Sequence, residues 1–109
     1  MDKASRWTND HDRLDEIRRQ THIAIAAKID EDRSLLDLPK RNIHRWADRA
    51  GYMHGAYAEW LVFLDKPWPE IRSVLVADDE DARRMRQSSP FTGILSPWER
   101  RTIRESVTT

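Results

Sequence analysis

A chain of 109 residues with 39% hydrophobic content suits one domain, because two separate cores would each be too small to offset chain entropy. Nineteen basic residues balance nineteen acidic ones, so no net positive charge steers the chain toward nucleic acid. The lack of cysteine excludes disulfides, thiolate nucleophiles and thiolate zinc sites.

The N-terminal segment indicates neither a signal peptide nor a membrane anchor. Residues 1–15 are polar and charged, and the longest apolar runs, residues 23–27 and 60–64, are far too short to span a bilayer. We therefore expect a cytoplasmic protein with no membrane association. Residues 1–11 show no helical periodicity and are predicted to form a flexible arm ahead of a single helical domain over residues 12–109.

The first predicted helix follows this arm and has about five turns. Its apolar positions recur at spacings of three and four: Leu14, Ile17, Thr21, Ala24, Ile25 and Ile29. Asn9 and Asp10 can cap its start. The acidic run at residues 30–32 would oppose the helix dipole at the other end, so the helix should stop there, and Ser34 can cap the next segment.

Two more helices are predicted before residue 65. Pro39 suits the first turn of the second helix, which should run to Ala50 and stop at Gly51. Its inward residues are expected to be Ile43, Trp46, Ala47 and Ala50. Residues 52–64 are the most hydrophobic element and are expected to form the central, most buried helix, which the prolines of residues 65–69 end.

Three short helices complete the predicted fold. Pro69 suits the first turn of the fourth, and the acidic residues 78–81 suit the start of the fifth. Ser96 and Glu99 form a capping box for the last helix. No strand or hairpin pattern occurs. The sequence thus predicts an all-α protein, a small bundle of five or six helices around a Trp-rich core with these residues at its centre: Trp46, Tyr57, Trp60 and Phe63.

Catalytic and metal-binding patterns are missing from the sequence. None of the four histidines belongs to an H-x-x-x-H pair, and the serines of the loop at residues 87–93 lack a G-x-S-x-G context. We therefore expect no catalytic residue, no cofactor and no metal. A site in which His44 or His54 meets a carboxylate would be the form an enzyme could take.

The second helix carries a basic face, here called the arginine ridge: Arg41, Arg45 and Arg49. Side chains four residues apart share one side of a helix, so the ridge could bind phosphates or an acidic partner. The alternative is a solvated face in which Arg45 pairs with Asp48 or Asp37.

Residues 69–87 resemble a helix-turn-helix in outline, which would make four side chains available to a DNA groove: Arg83, Arg84, Arg86 and Gln87. However, the second helix of this unit begins with Asp79, Glu80 and Asp81, which phosphates would repel.

Three aromatic residues lie outside helix interiors: Trp68, Phe91 and Trp98. They could anchor a protein interface, or at least two of them could close the core. The favoured hypothesis is a non-enzymatic interaction or regulatory protein that binds a protein partner, or a second copy of itself, through the arginine ridge or through Trp68 and Phe91. The alternatives are a small dimeric DNA-binding regulator that uses residues 69–87 or the arginine ridge and, third, a small enzyme.

Overall fold

The computed structural model describes residues 9–108, over which the chain folds as an all-α bundle without strands, as predicted. Its helices are α1 (Asp10–Glu31), a 3-10 helix (Arg33–Leu36), α2 (Asp37–Ala50), α3 (Gly55–Phe63), α4 (Trp68–Val76), α5 (Glu80–Gln87) and α6 (Pro97–Thr108). Of the predicted arm, residues 1–8 lie outside the described part, whereas Asp10 and His11 already belong to α1. No helix within residues 9–108 combines the length and apolarity that a membrane crossing requires.

Side-chain capping interactions begin α1, α5 and α6 where the sequence predicts. The side chains of Asn9 and Asp79 each accept a hydrogen bond at 2.8 Å from the backbone N–H three residues later. At α6, the backbone N–H of Glu99 donates to Ser96 Oγ at 3.1 Å, and the backbone N–H of Ser96 donates to Glu99 Oε1 at 2.9 Å. Ser34 does not cap its segment, because Asp32 does so and accepts from the backbone N–H of Ser34.

The end of α2 depends on a left-handed residue. Gly51 has a φ of 83°. Gly51→Ala is expected to lower the free energy of unfolding by about 1 kcal/mol, because a Cβ strains this conformation. Gly55→Ala is the matched control and should be neutral or slightly stabilising, since Gly55 is helical and a Cβ there meets nothing within 4 Å. Urea denaturation compares the two variants, and an equal loss in both would contradict the prediction.

The central helix is α1, which packs against α4, α5, α6 and the 3-10 helix. Its residues Ile25, Ala26 and Ile29 are at most 4% exposed. The expectation that residues 52–64 form the most buried helix is therefore wrong. In α3 only Trp60 is fully buried, and Val62 is 72% exposed. The physical reason is position: α3 packs mainly against α2 at the edge of the bundle, so most of its apolar side chains other than Trp60 are only partly buried.

The core contains tryptophan, but its centre differs from the predicted one. Trp60 is fully buried and contacts the Phe91 ring edge-on, with centroids 5.5 Å apart. Trp46 and Tyr57 are only half-buried, and their rings meet at 5.2 Å where α2 and α3 join. Ala50, expected to face inward, is exposed because it lies in the last turn of α2.

The connection between α5 and α6 is ordered by a buried side chain of α2. Asn42 is 1% exposed, and its amide nitrogen donates to the carbonyl oxygens of Pro90 at 2.9 Å and Thr92 at 2.8 Å. These bonds hold Phe91, which lies between the two carbonyls in sequence, inside the core.

Candidate functional site

The arginine ridge is exposed along α2 and covers about 12 Å of the helix axis, given a rise of 1.5 Å per residue. Arg45 Nη2 donates to Asn42 Oδ1 at 2.8 Å, so it is not paired with Asp48 or Asp37. Within residues 9–108, neither Arg41 nor Arg49 forms a side-chain hydrogen bond or ion pair. The ridge therefore presents two guanidinium groups with their donors unused.

Arginines on the other helices are mostly neutralised within the fold. Ion pairs at 2.8 to 3.0 Å join Arg72 to Asp30, Arg83 to Asp78 and Arg84 to Glu59. The hydrogen bond from Arg84 holds the pKa of the Glu59 carboxyl below its usual value. These exposed pairs contribute little stability individually. Within residues 9–108, the ridge shares its lack of ion pairs with three exposed arginines of α6: Arg100, Arg101 and Arg104.

The α4–α5 pair offers fewer groups to DNA than the sequence predicts. Arg83 and Arg84 are engaged by carboxylates, while Gln87 is exposed. The prediction fails for Arg86, which is 2% exposed. Its Nη1 donates to the carbonyl oxygens of Val74 at 3.0 Å and Ala77 at 2.6 Å, so it caps the C-terminal end of α4 and cannot enter a groove.

The prediction that Trp68 and Phe91 contact a partner is corrected, because both side chains are buried. Trp68 is 6% exposed, and its indole Nε1 donates to Asp30 Oδ1 at 2.8 Å. Phe91 is 2% exposed. A domain of this size uses its largest aromatic side chains to fill the core. Trp98 alone of the three is at the surface, 70% exposed in the first turn of α6.

The histidines singled out for an enzyme do not meet carboxylates. His44 is exposed, and His54 caps α3 by accepting at Nδ1 from the backbone N–H of Ala56 at 3.3 Å. His11 does lie 3.4 Å from Asp15, one turn away on α1, with the histidine exposed and the carboxylate partly buried. In the part of the chain that the structure describes, no three metal-ligating side chains converge.

Sequence reasoning missed a buried pair formed by His22 and Ser89. His22 is 5% exposed; its Nδ1 lies 2.6 Å from the carbonyl oxygen of Arg18, and its Nε2 lies 2.6 Å from Ser89 Oγ. Nδ1 must carry the proton to bond a carbonyl, so Nε2 accepts from the Ser89 hydroxyl. Burial lowers the pKa of His22 to about 4, which keeps the imidazole neutral at pH 7.

The His22–Ser89 pair is better suited to joining α1 to the loop before α6 than to catalysis. A base whose pKa is about 4 takes a proton from a hydroxyl weakly at neutral pH. Ser89 Oγ also accepts from the backbone N–H of Phe91 at 3.3 Å, so the pair links α1 to the loop before α6. The signal in the sequence is faint, because the two residues lie 67 positions apart.

Comparison with known proteins supplies no relative from which a role could be transferred. The chain matches no protein-family model, no curated protein and no solved structure.

Proposed function

We propose that this chain is a small non-enzymatic protein of the cytoplasm that regulates a protein partner by binding an acidic surface on it through the arginine ridge. One observation carries the proposal. Arg41 and Arg49 are exposed without an ion pair inside residues 9–108, although the same chain pairs Arg72, Arg83 and Arg84 with its own carboxylates.

The chemistry of the ridge suits carboxylates. A guanidinium presents a planar fork of donors that matches a carboxylate in two parallel hydrogen bonds. Elsewhere in the fold a guanidinium already binds a carboxylate in this way, since Arg84 donates to both Glu59 oxygens at 2.8 and 2.9 Å. Arg41 and Arg49 can form the same bonds with a partner and need not first break an internal pair.

The surroundings of the ridge favour a protein over a nucleic acid. Tyr52 and Met53 follow Gly51, the C-cap of α2, and are 63% and 38% exposed. Arg, Tyr and Met are all enriched in protein interfaces. Phosphate backbones reward an excess of basic residues, whereas this chain has equal numbers of both signs.

A pair of charge-reversed variants tests the proposal. Arg41→Glu/Arg49→Glu removes the unpaired charges of the ridge, and Arg101→Glu/Arg104→Glu makes the same charge change on the exposed face of α6. Each protein captures partners from a lysate of its source cells, and the main captured protein is purified and titrated calorimetrically against all three forms. We expect the ridge variant to lose at least about tenfold in affinity, with the α6 variant close to wild type.

Several outcomes would contradict this function. If the captured protein binds both variants equally, the ridge is not part of the interface. A wild-type chain that captures no stoichiometric partner would also count against it. Mobility shifts with duplex DNA test the remaining alternative. Salt-sensitive DNA binding that is lost in Arg41→Glu/Arg49→Glu would show that the ridge binds nucleic acid rather than a protein.

A further inference from the structure

The outward side of α3 is apolar and uncovered. Glu59 is the only charged residue among the nine of this helix, which is therefore apolar nearly all round. A helix with such a composition is normally buried on all sides. Yet α3 lies at the edge of the bundle, and its Val62 is 72% exposed, more than any other large apolar residue of the described part. This side of α3 therefore needs a cover that residues 9–108 of a single molecule do not supply.

A groove of about 310 Å³ lies beside Val62, between α3, α4 and α5, and is here called the α3 groove. Its apolar lining includes Val62, Phe63 and Met85, and Glu59 and Lys66 line it as well. Lys66 follows α3 in a turn in which its backbone N–H donates to the carbonyl oxygen of Phe63 at 3.1 Å, so the helical path continues. Spacings of three and four residues then place Glu59, Val62 and Lys66 on one side of this path.

The charged residues of the α3 groove have opposite signs. Two carboxylates, those of Glu59 and Asp81, share the one guanidinium of Arg84, which donates to them at 2.8 and 2.9 Å. The Glu59 side therefore keeps an excess negative charge. The Lys66 ammonium forms no ion pair within residues 9–108. An unpaired positive charge and an excess negative charge thus lie on either side of Val62 in the sequence.

This pattern is complementary to itself. Glu59 comes three residues before Val62 and Lys66 four residues after it, so the two charges are roughly 10 Å apart along the helix axis. Antiparallel packing of two α3 helices about a twofold axis near Val62 exchanges these positions, so each lysine meets the glutamate of the other copy. The same axis places Val62 of one copy on Phe63 of the other. Parallel packing would instead place like charges together.

We propose that the α3 groove is the contact surface of a homodimer in which the α3 helices of two copies pack antiparallel. Each copy covers the exposed Val62 of the other, and two Lys66–Glu59 pairs fix the register. Glu59 can accept from Lys66 while it is bound to Arg84, because a carboxylate has more lone pairs than one guanidinium uses. The dimer is separate from the arginine ridge and does not depend on a partner of another kind.

Sedimentation equilibrium of the full chain measures the association. A contact limited to one nine-residue helix and its groove should bury less than the roughly 800 Å² per partner of a stable complex. We therefore expect a weak dimer, with a Kd of about 1 to 100 µM. In amide spectra recorded across a dilution series, shifts should be largest at Val62 and Phe63.

Two charge-reversal variants and their mixture test the antiparallel register. Lys66→Glu and Glu59→Lys each create two like-charged pairs in their own homodimer, and each should weaken self-association at least about tenfold. An equimolar mixture restores both pairs of opposite sign in the heterodimer and should recover nearly the wild-type affinity. This recovery requires that position 59 of one copy faces position 66 of the other.

A second pair of variants tests the apolar contact. Val62→Asp puts two carboxylates at the twofold axis and should abolish the dimer. Trp98→Asp makes the same kind of change at a side chain that is 70% exposed on α6, and should leave the dimer intact. Arg41→Glu/Arg49→Glu should also remain dimeric, so a failure of the arginine ridge and a failure of the dimer can be told apart.

A wild-type chain that stays monomeric at about 1 mM would overturn the proposal, and the cover of α3 would then be residues 1–8 or a different protein. The proposal also fails if the mixture of charge-reversed variants associates no better than either variant alone. Should Glu59→Lys fail to fold because it loses its bonds to Arg84, the comparison of Val62→Asp with Trp98→Asp decides. Equal self-association of those two variants would show that the dimer uses another surface.

Discussion

Trp60→Ala is expected to lower the free energy of unfolding by about 4 kcal/mol, because it removes the most enclosed large side chain of the core. The indole contacts Phe63 and Phe91 edge-on at 5.8 and 5.5 Å. Its Nε1 also donates to the carbonyl oxygen of Met85 at 3.0 Å, a buried hydrogen bond that truncation removes. Urea denaturation followed by circular dichroism measures the loss.

Trp98→Ala is the matched control, since it deletes the same side chain at a position that is 70% exposed. We expect it to change stability by at most about 0.5 kcal/mol. If the two substitutions cost the same, Trp60 does not lie at the centre of the core.

The sequence predicted the ends of helices well because those ends depend on neighbours within one turn. The Ser96–Glu99 box needs only residues three apart, and Gly51 needs only its own freedom at positive φ. Asn9 likewise caps through a bond to the third residue after it. The all-α fold and most helix bounds follow from such local rules.

Burial was harder to predict because it depends on how many neighbours a helix acquires. Hydrophobicity alone ranked residues 52–64 as most buried, yet α1 has partners on several sides while α3 lies at an edge. From the sequence alone, Trp68 and Phe91, which lie next to prolines, could either anchor an interface or close the core. Tertiary contacts with Asp30 and Trp60 hold them inside.

For the candidate sites as well, the sequence predicted local features and missed those that depend on distant residues. Fourfold spacing predicted that the ridge arginines share a face, which the exposure of Arg41 and Arg49 agrees with. The sequence could not show which arginines form ion pairs within the fold, because a pair such as Arg84 and Glu59 joins residues 25 positions apart. The His22–Ser89 pair likewise needs α1 beside the α5–α6 loop, a contact that no local pattern encodes.

The free energy of unfolding is expected to fall by about 3 kcal/mol between pH 7 and pH 4 because of His22 alone. The folded protein holds the pKa of this imidazole at about 4, against 6.5 when it is solvated. As the pH falls below 6.5, the His22 imidazole binds a proton in the unfolded chain but stays neutral in the folded chain. The free energy of unfolding therefore falls steadily until about pH 4. Urea denaturation at intervals across this range measures the slope.

His22→Gln should abolish this slope while lowering stability at pH 7, since glutamine does not titrate and its amide fits the two buried hydrogen bonds poorly. His44→Gln, which changes an exposed histidine, should keep the wild-type slope. Hydrogen bonds from Arg84 and Lys28 lower the pKa values of Glu59 and Glu99 from 4.5 in the folded protein, so these carboxyls add a slope of the same sign only near the lower end of this range. A slope that persists unchanged in His22→Gln would show that the buried imidazole is not the group that couples proton uptake to unfolding.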